Sequence, residues 1–284
     1  MTHPEPHGPA VVARMRTAHH RARTALNVTL SPDEHEAWGW RGRTLGGAVT
    51  SSDGPAWLRV AAAPSEQTIT TFWNGSIDAK DAIPSSVPRP RLREIHDWTE
   101  HTWRYRAELY DYVGERPVAV SATLTTAPAL PPSWWTALRT TLDAVTTVST
   151  GRYTTDQQYL DWAMPRFLGA PVDTRVLSWS TAHGDLHWAN LCAPRLAVLD
   201  WEGWGMAPTG YDAATLYIYS LLVPEVAASV RSEFADTLDT PTGRFAELAV
   251  ITELLESTTY GDNLLLDRPL RNRAAHLLGC RIPS

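Results

Sequence analysis

The sequence predicts an α+β fold in two parts, a small antiparallel sheet carrying one helix and then a larger, mainly helical region. Three observations lead there. Short β-rich runs punctuated by glycine and turn residues occupy positions 26–113, apolar residues recur at helical spacing from Trp134 onward, and one strand-and-loop stretch at 176–202 interrupts the helices. With 284 residues, 43% of them hydrophobic and 20% charged, the chain can bury a core around such an arrangement.

Residues 1–25 hold Arg14, Arg16, Arg21 and Arg23 with His19 and His20, and lack the apolar centre of a secretory signal. They read as a mobile or loosely docked tail. From Trp38, WGWRGRTLGGAVTSSDGPAWLRVAA reads as strand, glycine loop, strand, turn and strand, with the turn at Ser51-Ser52-Asp53-Gly54-Pro55. Gly46 and Gly47 are candidates for covering a phosphate with backbone N–H groups, although a glycine pair at a hairpin turn is also ordinary. SEQTITTFWNGSIDAKDAI suits a helix interrupted near Asn74-Gly75 and ended by the prolines of SSVPRPRL. RLREIHDW and WRYRAELYDYV then form a hairpin about Thr99-Glu100-His101-Thr102.

Helical patterning takes over after Gly114. SWWTALRTTLDAVTTV places Trp134, Trp135, Leu138, Leu142 and Val145 on one face, with Ser133 as a reasonable N-cap. TTDQQYLDWAMPRFLG supplies a second helix; YDAATLYIYSLLVPEVAASV, GRFAELAVITELLEST and LRNRAAHLLG supply three more. The expected units are thus the tail at 1–25, a sheet-based lobe at 26–113 and a helical lobe at 114–284.

A net charge of −6 argues against a broad basic surface for nucleic acid, and no apolar run approaches the roughly 20 residues that span a bilayer. Only Cys192 and Cys280 are present, which suits a reducing cytosol better than a disulfide framework. The composition does not speak to oligomeric state.

The chemistry concentrates in HGDLHWAN at 183–190 and in the apolar run Leu196-Ala197-Val198-Leu199 that ends in Asp200. Phosphoryl transfer needs a carboxylate to orient or deprotonate an acceptor hydroxyl, and hard oxygen ligands for Mg²⁺. Asp185 and Asn190 stand five apart, the spacing of the base and the metal-binding amide in kinase catalytic loops, and Asp200 adds a second metal-binding oxygen group. The alternation of His183 and His187 about Asp185 also admits a zinc hydrolase, but only His276 follows as a further histidine ligand.

His183-Gly184-Asp185 with Asn190, followed by Leu199-Asp200-Trp201-Glu202 and Gly210-Tyr211-Asp212, resembles the aminoglycoside phosphotransferase and choline kinase-like family. The detailed match covers Ser180 to Ala213. The resemblance implies a two-lobed protein-kinase-like fold with ATP, or GTP, between the lobes and its base near Tyr112-Val113-Gly114-Glu115. It implies Asp185 as catalytic base, Asn190 and Asp200 as Mg²⁺ ligands, and His183 and Asp212 as structural supports. The implied activity is transfer of a γ-phosphoryl group to the hydroxyl of a small molecule, an aminoglycoside, amino alcohol or sugar among the candidates. One position departs from the family: Arg59 stands where a lysine normally meets the nucleotide phosphates, and Glu66 is the candidate for its partner. That departure keeps open a catalytically silent nucleotide-binding protein. Glu253, Glu256 and Asp262 either line a pocket for a basic acceptor or form the wet face of a helix, and most of the 13 tryptophans read as packing residues.

Overall fold

Alternation of side chains along the strands gives the sheet one apolar face and one polar face. The computed structural model describes residues 4–32, 35–66, 71–169 and 171–282. Strands β1 (Thr29–Leu30), β2 (Ala37–Trp38), β3 (Thr44–Ser51), β4 (Gly54–Pro64), β5 (Leu92–Glu100) and β6 (Trp103–Asp111) form an antiparallel sheet in the order β1-β3-β4-β6-β5, with β2 also paired to β3. Along β4, Ala56, Leu58, Val60 and Ala62 are buried on one side, while Trp57, Arg59, Ala61 and Ala63 turn to the other.

The apolar face is covered by a helix, α1 (Pro9–Ala25), so over these residues the expected mobile or loosely docked tail is a packed helix. Val12, Met15, Ala18 and Ala22 recur every three or four residues and join Leu45, Leu58, Val60, Tyr105 and Leu109 in one cluster. Pro9 opens the helix, where its fixed φ and missing N–H cost nothing. Arg16 ties the outer side of α1 to Glu5 at 2.5 Å and Glu36 at 2.7 Å.

His19 lies on the buried side of α1 at 6% exposure, and burial, reinforced by the charge of Arg23, lowers it from 6.5 to about 4. Its imidazole is therefore neutral in the folded protein. The stability this group contributes is complete above pH 6.5 and is lost as pH falls toward 4, a change of up to about 3 kcal/mol. Urea titrations at pH 7 and pH 4.5 should show a smaller acid loss for His19→Met than for the wild type; equal losses would mean that His19 is not the group responsible.

The β5–β6 hairpin turns at His101 and Thr102, with His101 at φ 53°. Helix α2 (Thr71–Ala82) runs unbroken through Asn74 and Gly75, where an interruption was expected. Residues 67–70, the expected start of that helix, lie outside the described residues. Arg89 holds the end of α2 by donating from Nη2 to the Ala79 carbonyl at 2.7 Å.

The second lobe contains α3 (Pro132–Thr146), α4 (Gln157–Leu168), α5 (Tyr211–Ile218), α6 (Pro224–Glu233), α7 (Ala235–Leu238), α8 (Pro241–Thr258) and α9 (Asp267–Leu278). Among them run two short antiparallel pairs, β7 (Arg116–Pro117) with β9 (Cys192–Ala193) and β8 (Trp179–Ala182) with β10 (Gly205–Pro208). Helix α3 starts two residues earlier than a Ser133 cap requires, with Pro131 at the cap and Pro132 in its first turn. The apolar stretch after Tyr211 divides at Val223-Pro224 into α5 and α6.

Trp134, Trp188 and Trp204 are fully buried in this lobe, and each indole N–H is satisfied, by the Cys192 carbonyl, the Ser220 hydroxyl and the Gly75 carbonyl respectively. They pack, as expected of most tryptophans here. Among the described residues no helix is long and apolar enough to cross a membrane.

Candidate active site

Strand β8 delivers the chain into His183-Gly184-Asp185, and the loop is held from below. Asp212, in the first turn of α5, accepts the N–H groups of His183 at 2.7 Å and Gly184 at 3.0 Å. Burial pushes the Asp212 carboxyl upward, opposed by those same hydrogen bonds. Gly184 sits at φ 84°, and a Cβ there would lie 2.5 Å from the Thr154 hydroxyl and 2.7 Å from the Gly203 carbonyl, so the turn requires glycine.

His183 uses both ring nitrogens locally: Nδ1 accepts the Asp185 N–H at 3.3 Å, and Nε2 donates to the Leu199 carbonyl at 2.8 Å. Its ring meets Trp201 edge-on at 4.7 Å, and Trp201 is buried there as a packing residue. With both nitrogens committed, His183 is not placed as a zinc ligand. Among the described residues no group of three or more His, Cys, Asp or Glu side chains could hold a metal ion.

Asp185 points outward with half of its side chain exposed. Desolvation at the floor of the cleft opposes its ionisation, but the positive field and hydrogen bond of His187, 3.4 Å away, hold the carboxyl well below the usual carboxylate range. Asn190 Nδ2 donates to the Asp185 carbonyl at 3.0 Å and to its Oδ2 at 3.2 Å.

A backbone hairpin brings Asp200 to the same place. The Cys192 N–H donates to the Ala197 carbonyl at 2.9 Å, Leu191 bridges Val198, and the Leu199 N–H donates to the Asn190 carbonyl at 2.8 Å. The run at 196–199 is thus the return arm of a hairpin, where a regular strand was expected. Its last rung sets Asp200 one residue beyond the partner of Asn190, and Asp200 adopts φ 61° as the chain leaves the hairpin. Asp185 and Asp200 line one cavity of about 1430 Å³ that runs between the lobes and along the polar face of the sheet. Two carboxylates and an amide oxygen are hard donors, a set that fits Mg²⁺.

Two of the residues expected to contact the nucleotide, Gly46 and Arg59, line this cavity. Gly46 and Gly47 lie inside β3, opposite Arg59 and Leu58 of β4, and not in a loop. The loop that overhangs the cleft is 39–43, Gly39-Trp40-Arg41-Gly42-Arg43, and its signal in the sequence is the Gly39/Gly42 pair in WGWRG. Arg59 lines the cleft, but its partners are Glu108, at 3.0 Å, and Glu202, in a short contact. Glu66 is exposed in the turn after β4. Five strand residues at roughly 3.3 Å each separate Arg59 from the end of β4, too far for Glu66 to pair with it. The chain has one lysine among its 25 basic residues, Lys80, exposed near the end of α2, and no lysine lines the cleft.

On the helical side, Tyr211 donates to Glu253 in a short hydrogen bond and Tyr159 donates to Glu256 at 2.6 Å. Burial pushes Glu253 up to about 7, with Glu256 and Asp185 adding to the rise. These acids are half-buried rather than on the wet face of a helix. Trp40, on the overhanging loop, donates to Asp262 at 3.1 Å, and Arg41 donates to the Tyr260 carbonyl at 3.4 Å, so the loop touches the helical lobe across the mouth of the cleft.

The model of the phosphotransferase enzyme family matches residues 79–248, more than half of the chain. A microcompartment-associated aminopropanol kinase superposes with a TM-score of 0.52 at 14% identity, over 92% of this chain and 95% of that one. A candidate aminoglycoside phosphotransferase of Ralstonia eutropha JMP134 gives a TM-score of 0.52 at 14% identity, over 93% of this chain and 97% of that one. At such identity these likenesses concern the two-lobed fold alone. A search of curated proteins gives no match.

Proposed function

The chain belongs to the phosphotransferase enzyme family, and from that premise we propose that it moves the γ-phosphoryl group of ATP onto a hydroxyl of a small molecule in the cleft between its lobes. The observation that supports this reading is that Asp185 and Asp200 line one cavity, while Asn190 donates to Asp185 and accepts at its carbonyl from Leu199, the neighbour of Asp200. Asp185, ionised and half exposed, accepts a hydrogen bond from the acceptor hydroxyl, aims its oxygen at the phosphorus and takes the proton as transfer proceeds. Asn190 and Asp200 would hold Mg²⁺, which when bound neutralises charge on the phosphate oxygens. The loop at 39–43 covers the nucleotide, and the 112–115 crossover borders its base.

The carboxyl groups of Glu253 and Asp262 near Asp185, with Glu256 beside Glu253, support an acceptor that carries an amine. Two free cysteines, Cys192 and Cys280, support a reducing compartment such as the cytosol. An ADP-release assay with Mg²⁺ and ATP, or GTP, over amino alcohols, aminoglycosides and sugars tests the reading. Release that depends on both an acceptor and Mg²⁺ is expected. Thermal stabilisation by nucleotide with no release over the whole panel would assign a silent nucleotide-binding protein instead.

A further inference from the structure

Arg59 is enclosed by carboxylates. In the β4–β6 ladder it lies directly opposite Glu108, whose side chain is 2% exposed and whose Oε2 accepts Arg59 Nη1 at 3.0 Å. Tyr110 donates to the same oxygen at 2.9 Å and pins it. On the other side Arg59 Nη2 reaches Glu202, two residues past Asp200. Asp200 adds its own negative field, so one part-buried guanidinium faces three carboxyl groups.

The loop carrying Glu202 is gripped from other directions as well. Arg152 Nη2 donates to the Glu202 carbonyl at 3.0 Å and its Nε to the Trp204 carbonyl at 3.0 Å, while its Nη1 reaches Asp78 of α2 at 2.6 Å. Gly75 of α2 lies flat against the same segment; a Cβ there would be 2.0 Å from the Glu202 carbonyl oxygen. Neither acid of helix α2 pairs with Arg59: Asp78 is taken by Arg152, and Asp81 is exposed. Among the described residues, the ion pair that joins the sheet to the Asp200 loop is Arg59 with Glu202.

We infer that Arg59 is a positioning residue, a strut from Glu108 on the sheet to Glu202 that fixes the loop bearing Asp200, and not a direct contact for donor phosphates. The planar fork of a guanidinium can meet two carboxylates on separate nitrogens, whereas an ammonium is a single point charge with no such fork. Lysine at this position, the residue the family resemblance leads one to expect, should therefore work less well here.

The inference rests on the phosphotransferase reading, and the test uses Arg59→Lys, Glu202→Gln and the double variant in the full chain. Each single variant should lower kcat by about 10- to 100-fold, as loss of a group supporting a metal-binding residue does, with the nucleotide KM little changed. The double variant should be no worse than the poorer single one. A raised nucleotide KM with kcat kept in Arg59→Lys, or additive losses in the double variant, would overturn the strut and restore a phosphate contact. Amide exchange at 200–204 gives a readout that needs no turnover: it should quicken in both single variants, and unchanged exchange would overturn the strut. Glu202→Gln serves if Arg59→Lys does not fold. A wild type that releases no ADP with any acceptor would end the phosphotransferase reading while the exchange measurement still decides the strut.

Discussion

Asp185→Ala should lower turnover by about 10²- to 10⁴-fold, the usual contribution of a general base, while nucleotide binding and thermal stability stay close to wild type. The split follows from where the carboxylate sits. Half of its side chain is exposed to the cleft, so its removal leaves no core cavity, and the loop remains tied by Asp212 to the backbone of His183 and Gly184. Asp185→Asn keeps the shape and much of the hydrogen bonding but cannot take a proton, and should fall with the alanine variant. Steady-state rates against acceptor, with nucleotide affinity measured separately by calorimetry, check this. A rate within threefold of wild type would remove Asp185 from the chemistry.

Met15→Ala should destabilise the protein by about 2–5 kcal/mol, the range for truncating a fully buried methionine. Met15 is 0% exposed between α1 and the sheet. The cluster it belongs to is the apolar core of the sheet lobe, whereas Ala79 of α2, together with Ile83 and Val87, packs into the other cluster. The effect should thus appear as early unfolding of the sheet lobe, with the urea midpoint for its tryptophans shifted more than that of the whole chain. A loss below about 1 kcal/mol would make α1 peripheral to the fold.

The candidate site at 183–200 could be marked out in the sequence because its groups are close together: Asp185 and Asn190 are five apart, and the hairpin to Asp200 closes over one short turn. The order of sheet and helices was legible from periodicity. Helix α1 was not, because its buried stripe, Val12, Met15, Ala18, His19 and Ala22, holds only two larger apolar side chains and is set among arginines. Nor were the partners of Arg59. Glu108 is 49 residues away and Glu202 is 143 residues away, joined to it by strand register and by the docking of two lobes. The overhanging loop was misplaced for a related reason: WGWRGRTLGG holds two sets of glycines, and only the pairing of Trp38 with Leu45 decides which set leaves the sheet.

The scarcity of lysine has a practical outcome. Acyl-phosphate analogues of nucleotides mark a binding cleft by passing their acyl group to an ε-amino group, and these walls present arginines instead. The protein will stay silent in surveys that find nucleotide sites through amine acylation. Dicarbonyl reagents, which condense with guanidinium groups, are the covalent probes suited to it.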